Sequence, residues 1–500
     1  MRRAWRVPAA ALLTALLALA GCGRHKNLLV PDVPPETRLF VQGPVDTVNH
    51  IVHLYWFGSD PDGQVVGFQF RMLNPAQPAD SAWRFTLRSD SLFVVYTPAG
   101  FTAPTFEVRA IDQAGLVDPT PAIENFQFSN QPPVVALTGR LFSNDSTFAS
   151  VTATWTVSDP DGDASRATFR VWLKGDEANT YVTAAHTFTM PSAAFFRLAR
   201  WDALHTLYVQ AIDDGGMAGA PDSMRWFVRS AGSGAHGRLL LVDDLPTTNA
   251  INFPTDTLYR NTALRNLPAG SFDVLTLQFD QPFLSDSDVV QTFRQFDAVV
   301  WYRGSVADTQ SLSRTVGQVG AAFHGVLQQY ENALGLYLDG SGRFMLESMY
   351  AIGGYNLPGV LSGDFARRHL DTNELLLNFN TLLQDSTAGW GNTSPGSYYS
   401  SAYHDSLRIG ALLAAIPGDA PGLEVFGVGD TSEVALWAPP GQLSPTSPNR
   451  LPIAVSVPQP SGGRAIVTTL PIWPARLYSS QPRLLAKVFQ QLGLLGPSPF

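Results

Sequence analysis

Cysteine is almost missing from this chain: 500 residues contain one, at position 22, so no disulfide closes within a single copy. Lysine is nearly as scarce, at Lys26, Lys174 and Lys487, and the formal net charge is -9. No basic stripe is available to neutralise phosphates, which removes nucleic acid from the expected partners. Charged residues make up only 15% of the chain against 45% hydrophobic, a balance that fits a folded protein and excludes a disordered one. Long apolar runs are lacking too. The one from Val7 to Ala20 is short of the roughly 20 residues that a membrane span needs. Glycine and proline are plentiful, at 42 and 37, and aromatics reach 11%, which suits many short strands joined by turns. The length suits about three domains.

The apolar run follows Arg2, Arg3 and Arg6 and ends in Leu19-Ala20-Gly21-Cys22. A charged start and an apolar centre have the layout of a secretory signal. The ending resembles the lipobox of bacterial lipoproteins. The resemblance implies that residues 1–22 are signal peptide and lipobox, with Cys22 as the lipidated first residue of the mature protein. Thiolate chemistry then has no residue left, and the membrane becomes a partner through the N-terminal lipid. Each buried methylene of such an anchor adds about 0.8 kcal/mol. The expected location is the cell envelope. Gly23 stands where lipoproteins kept in an inner membrane often carry Asp, so an outer membrane is favoured in a diderm cell.

Residues 23–36 contain Pro31, Pro34 and Pro35 and lack apolar periodicity, as a tether does. From 37 to 130 short alternating strands follow one another, among them Ile51-Val52-His53-Leu54-Tyr55-Trp56 and Phe106-Glu107-Val108-Arg109-Ala110-Ile111. The pattern then repeats over 131–229. Trp56 through Asp60-Pro61-Asp62-Gly63 recurs as Trp155 through Asp159-Pro160-Asp161-Gly162, and Val108 to Asp112 recurs as Val209 to Asp213. Both landmarks recur at a spacing of about 100 residues, which implies a duplicated domain. A core Trp on an early strand and a Val-x-Ala-x-Asp strand before a Gly-containing hairpin resemble Ig-like and fibronectin type III sandwiches of bacterial surface proteins. Pro132 and Pro133 mark the joint between the copies.

The acidic turns have two readings. Asp-Pro-Asp-Gly is a good turn, with proline presetting φ and glycine accepting a positive φ. The same carboxylates, Asp60 and Asp62 in the first copy and Asp159, Asp161, Asp163, Asp213 and Asp214 in the second, are hard oxygen ligands of the kind calcium takes. No other cofactor is expected.

After a small-residue linker at 230–237 the grammar changes. Leu239-Leu240-Leu241-Val242, Phe272 to Leu277, Phe296 to Trp301, Arg343 to Glu347 and Arg464 to Leu470 read as strands, with helices at about 256–267, 286–295, 319–338 and 482–495. Alternating strands and helices predict a parallel sheet. A Gly-, Ser- and Pro-rich insertion at about 355–450 interrupts it. The expected fold class is therefore multidomain: two all-β sandwiches followed by an α/β parallel-sheet, flavodoxin-like or amidotransferase-like domain at 238–496. The order of its motifs, from Asp243-Asp244 through Phe296 to Trp301 and Gly340 to Leu346 to Gly463 to Pro471, resembles the class I glutamine amidotransferase-like fold. That family's cysteine is absent at Leu346-Glu347-Ser348-Met349, and Pro471-Ile472-Trp473-Pro474 stands where its His and Glu belong. The resemblance thus implies a domain without amidotransfer. No Gly-x-Ser-x-Gly elbow surrounds Ser348, and His324, His369 and His404 lie in no recognised motif. Neither a dinucleotide fingerprint nor a complete receiver-type acidic pocket follows the first strand.

Ligands of open parallel sheets bind beyond the carboxyl ends of the strands. That places Asp243, Asp244, Tyr302, Arg303, Glu347 and Ser348 around one candidate crevice, either for a polar ligand or as a structural ion-pair cluster. The expected function is binding or scaffolding of a protein or glycan partner in the envelope, without catalysis. An envelope hydrolase acting on glycan or peptide, and a calcium-stiffened adhesion module, are the alternatives.

Overall fold

The computed structural model describes residues 31–41, 50–79, 81–232, 236–244, 252–277, 283–304, 331–348, 351, 361–378, 396–400, 405–409, 424–428, 433–438, 451–468 and 480–496. Residues 1–30 with Cys22, expected to hold the signal segment and the start of the tether, and His324 and His404 lie outside them. The chain divides into two compact units, Met1–Gln131 with Asp214–Met217, and Pro132–Asp213 with Ala218–Phe500.

In the first unit nine strands form in order: β1 (Glu36–Val41), β2 (Ile51–Ser59), β3 (Val65–Leu73), β4 (Arg84–Thr86), β5 (Asp90–Val94), β6 (Phe101–Thr102), β7 (Thr105–Asp112), β8 (Ala122–Asn125) and β9 (Phe128–Ser129). One sheet runs β1-β2-β5 and the other β4-β3-β7-β8, with β6 and β9 paired separately. Alternation places Val52, Leu54 and Trp56 of β2 and Phe106, Val108 and Ala110 of β7 in one core. Trp56 packs against Phe106 at 5.8 Å, and its indole N–H donates to the Arg88 carbonyl at 2.8 Å. Burying that ring without a partner for the N–H would cost free energy.

The second unit opens with β10 (Val134–Leu137), β11 (Ser146–Thr147), β12 (Val151–Ser158), β13 (Thr168–Leu173), β14 (Tyr181–Thr183), β15 (Thr187–Met190), helix α1 (Ser192–Leu198), β16 (Ala203–Ile212) and β17 (Asp222–Val228). Its sheets run β10-β12-β15 and β11-β17-β16-β13-β14, so each strand of the first sandwich's two main sheets has a counterpart in the same place. Trp155 sits in this core beside Phe169 at 5.3 Å, as Trp56 does in the first.

The α/β part of the same unit contains β18 (Gly237–Asp243), α2 (Asn252–Asn266), β19 (Phe272–Thr276), α3 (Asp286–Phe293), β20 (Phe296–Gly304), α4 (Glu331–Asp339), β21 (Arg343–Ser348), α5 (Gly363–His369), β22 (Thr372–Asn378), β23 (Gly396–Ser400), β24 (Asp405–Ile409), β25 (Glu424–Val428), β26 (Glu433–Ala438), β27 (Leu451–Pro458), β28 (Arg464–Thr468) and α6 (Ser480–Gln491). Nine strands form one sheet, β19-β18-β20-β21-β28-β27-β26-β23-β24, while β22 pairs with β25. The expectation of a parallel sheet is corrected here. The neighbours β19, β18, β20, β21 and β28 are parallel, but β27 and β28 form an antiparallel hairpin and the sheet continues antiparallel beyond it. A short hairpin can reverse the chain, whereas a parallel neighbour would require a crossover. Of the helix expected at 319–338, the described part is α4.

A buried joint ties the second sandwich to the α/β core. Phe148 belongs to the α/β core cluster and meets Phe296 edge-on at 5.1 Å, with the Arg229 guanidinium 4.7 Å from the centre of its ring. Nearby, Asp288 on α3 accepts from Ser150 Oγ at 2.7 Å and from the Thr152 N–H at 3.1 Å. Within the stretch 230–237, Ala231 is buried and the Gly232 N–H donates to Asp273.

Candidate functional site

The parallel strands bring part of the expected crevice into a single row. Asp243 lies opposite Thr276 on one side and Tyr302 on the other, Tyr302 lies opposite Glu347, and Glu347 opposite Thr468. The row runs across the carboxyl ends of five strands. From β18 the chain adds β19 at one side and then returns to add β20 at the other, so Asp243 and Tyr302 flank the switch point of the sheet.

Helix α2, which follows β18, lies over this row. Asp256, Tyr259 and Arg260, at the i, i+3 and i+4 spacing, share a face of the helix. The Tyr259 ring stacks on the Tyr302 ring with centroids 4.4 Å apart and planes 5° apart. The Tyr259 hydroxyl donates to Glu347 Oε2, and the Tyr302 hydroxyl donates to Asp256 Oδ1 at 2.7 Å. Arg260 Nε lies 2.6 Å from both oxygens of that carboxylate. On the opposite face of β20 the Trp301 indole N–H donates to Asp244 Oδ2 at 3.1 Å. Adjacent residues of a strand point to opposite faces, so Trp301 and Tyr302 secure both sides of the switch point.

These groups lie inside the domain. Glu347 is 0% exposed and Asp243 and Asp244 are each 3% exposed. Burial, reinforced by the Glu347 charge, pushes the Tyr259 phenol well above its ordinary value, and burial with Asp243 and Asp256 does the same to Tyr302. Both hydroxyls therefore remain protonated donors at neutral pH. Among the described residues the arrangement sets two stacked rings at the strand ends, each hydroxyl donating to a carboxylate.

Ser348 is buried opposite Gly304, past an irregularity in the pairing of β20 with β21, and the Arg303 side chain lies outside the described residues. His369 is committed elsewhere: it is buried, its Nδ1 is 3.3 Å from Gln459 Oε1, and its carbonyl accepts from Gln459 Nε2 at 2.8 Å.

The acids singled out in the second copy take different tasks. Asp159 Oδ1 accepts from the Gly162 N–H at 3.1 Å, which is the turn geometry. Asp163 caps the short helix Ala164–Arg166 through Ser165, and those hydrogen bonds hold its carboxyl below the usual range. Asp161 follows in the same turn, with its N–H directed to Asp159 Oδ1. Asp213 is buried just past β16, and Asp214 falls in the first unit, where its carboxylate meets His50.

No protein-family model and no curated protein matches this chain. Among solved structures, the fibronectin(III)-like modules of Clostridium thermocellum CbhA are 16% identical, covering 38% of this chain and 94% of theirs at a TM-score of 0.18. The FN1-FN3 domains of chicken CNTN1 are 14% identical over 40% of this chain and 68% of theirs, also at 0.18. A two-domain fibronectin type III segment of chicken tenascin is 13% identical over 39% of this chain and 98% of its own, at 0.16. Likeness at this level transfers neither a substrate nor a partner to this chain.

Asp256 and Tyr259 are the residues of the site that strand-end reasoning misses. A signal was present, since an Asp-x-x-Tyr-Arg run occupies a helix that directly follows the first strand. Only the packing shows which side of that helix meets the sheet.

Proposed function

We propose that this chain is a lipid-anchored protein of the bacterial cell envelope that binds or scaffolds a protein or glycan partner and does not catalyse a reaction. Cys22 is the anchoring residue in this reading, and an outer membrane is its place in a diderm cell. The sandwiches act as a stalk, and the terminal domain is an amidotransferase-like fold put to a non-catalytic use. The observation that carries the reading is the Tyr259–Tyr302 stack with Glu347 held beneath it. At the position where α/β sheets take their ligands, the carboxylate best placed to act as an acid or base is buried under a helix and occupied by a phenol.

Two experiments test it. Cells expressing the chain are labelled with palmitate and fractionated, with the expectation that label and membrane association are both lost in Cys22→Ser. Crosslinking in intact envelopes is expected to capture a discrete partner. Hydrolysis of envelope glycan or peptide by the purified full chain, abolished in Glu347→Gln with the fold retained, would overturn the non-catalytic reading.

A further inference from the structure

We propose that the outer face of the β1-β2-β5 sheet in the first sandwich binds a glycan chain of β-1,4-linked pyranoses, stacked on the rings of Phe40, Tyr55 and Phe57. The proposal rests on the glycan side of the partner reading above and adds a binding surface to the stalk. It needs neither the lipid anchor nor the α/β domain.

Alternation decides which side chains reach this face. Val52, Leu54 and Trp56 of β2 point into the core, so Ile51, His53, Tyr55 and Phe57 point outward. Register sets Arg38 opposite Phe57 and Phe40 opposite Tyr55 on β1, and Asp90 opposite Tyr55 and Leu92 opposite His53 on β5. Phe40 is 56% exposed, Phe57 60% and Leu92 52%. The rings of His53 and Tyr55 stack with centroids 4.3 Å apart, and His53 Nε2 lies 2.9 Å from Asp90 Oδ2, which steadies the middle of the face.

The second sandwich shows that the fold itself requires nothing aromatic here. Trp155 takes the place of Trp56, so its neighbours Thr154 and Thr156 take the places of Tyr55 and Phe57. Thr138, bonded to Thr154, takes that of Phe40, and Thr189, paired with Thr152, that of Leu92. Threonine suits a strand as aromatic residues do, so strand formation does not explain the rings. The threonine face is already an interface: Thr152 Oγ1 lies 2.6 Å from Ser285 Oγ at the start of α3, and the Thr152 N–H donates to Asp288. Of two equivalent faces, one is small, polar and covered by the α/β part, and the other presents large exposed rings. Exposed apolar side chains gathered on one face mark a binding surface.

Size and chemistry select the occupant. Three strands with four outward positions along the middle one make a strip of roughly 14 by 27 Å, or about 400 Å². A stable protein–protein interface takes about 800 Å² from each side, so a second copy of this chain or another folded protein finds too little area here. A narrow strip suits an extended oligosaccharide. The edge strands carry charges of both signs, Arg38 on β1 and Asp90 on β5, so the face favours neither an acidic nor a basic partner. A pyranose presents C–H groups on its flat side, which the negative faces of aromatic rings attract, and hydroxyls at its rim, which a guanidinium and a carboxylate can meet. The β-1,4 linkage keeps successive rings extended, so that several reach the same face.

Retention of the purified full chain on insoluble cellulose, chitin and peptidoglycan sacculi, with titration calorimetry against cellohexaose and chitohexaose, tests this. The wild type is expected to be retained and to bind a hexasaccharide. Phe40→Thr and Phe57→Thr are each expected to weaken binding about tenfold with melting unchanged, because each installs the residue that the second sandwich carries at that place. Leu92→Thr, which leaves every ring in position, is expected to weaken binding less and keeps the test decisive if loss of a ring disturbs the fold. Thr156→Ala, on the second sandwich, is expected to bind as the wild type does. A wild type that binds none of these glycans, or first-sandwich variants that bind as tightly as it does, would overturn the proposal. So would a dimer in sedimentation velocity that Phe57→Thr breaks and that binds no glycan, since the face would then belong to a second copy. A protein partner crosslinked in envelopes by a chain that binds no glycan would leave the partner reading standing and overturn this one.

Discussion

Tyr259 and Tyr302 stack face to face, 5° from parallel, yet their hydroxyls serve different acids, Glu347 and Asp256. The difference in burial between those acids makes the two tyrosines unequal. Glu347 is completely buried, whereas Asp256 is partly exposed and also paired with Arg260. Replacing Tyr259 by Phe removes a donor from a buried carboxylate and is expected to destabilise by about 1–3 kcal/mol. Tyr302→Phe leaves Asp256 its arginine and some water, and is expected to cost about 0.5–1.5 kcal/mol. Urea unfolding of both variants checks the order; equal losses would show that the burial of the accepting carboxylate does not set the cost of losing its donor.

The joint between the second sandwich and the α/β core hangs on Phe148. Phe148→Ala is expected to cost about 3–5 kcal/mol, since a large buried ring leaves a cavity between two elements that cannot readily close. Calorimetry on the full chain should show the melting of this unit broadening or splitting as the two parts lose their common core. An unchanged transition would mean that the polar contacts of Asp288 suffice.

Asp288 at that joint makes stability depend on pH. Burial raises its carboxyl above the ordinary value of 3.8, although hydrogen bonds from Ser150, Thr152 and Leu284 oppose the shift. Between its unfolded and folded pKa values the folded state binds more protons, so its contribution is complete below 3.8 and declines as pH rises through the folded value. The stability advantage of the wild type over Asp288→Asn should therefore be largest in acid and shrink with rising pH. Unfolding free energies of both proteins across that range would contradict this if the gap grew.

Gly463, in the turn before β28, has no room for a side chain: a Cβ would lie 2.2 Å from the Gly342 carbonyl oxygen. The neighbour is backbone at the start of β21, which cannot swing away. Gly463→Ala is expected to cost about 1–3 kcal/mol through forced displacement of these strands, measurable as a lower denaturation midpoint.

What the sequence determines by itself is what depends on neighbours a few residues away. Period-two alternation marks β2 and β7, the continuous apolar run marks β18 as a strand covered on both faces, and the recurrence of Trp56 at Trp155 marks two similar sandwiches. Strand ends also point to Asp243, Tyr302 and Glu347 as neighbours, because parallel strands of similar length finish in a row. The tertiary structure decides which surfaces cover which. That α2 turns Tyr259 onto the row, that Phe148 leaves its own sandwich for the next core, that β27 runs antiparallel to β28, and that the Val33 N–H meets the Asp62 carboxylate are settled by contacts between distant parts of the chain. Local pattern fixes the side of an element that is apolar. Only the shape and chemistry of the surface opposite choose its partner, and at these strand ends they join the Tyr259 and Tyr302 phenols to the Glu347 and Asp256 carboxylates.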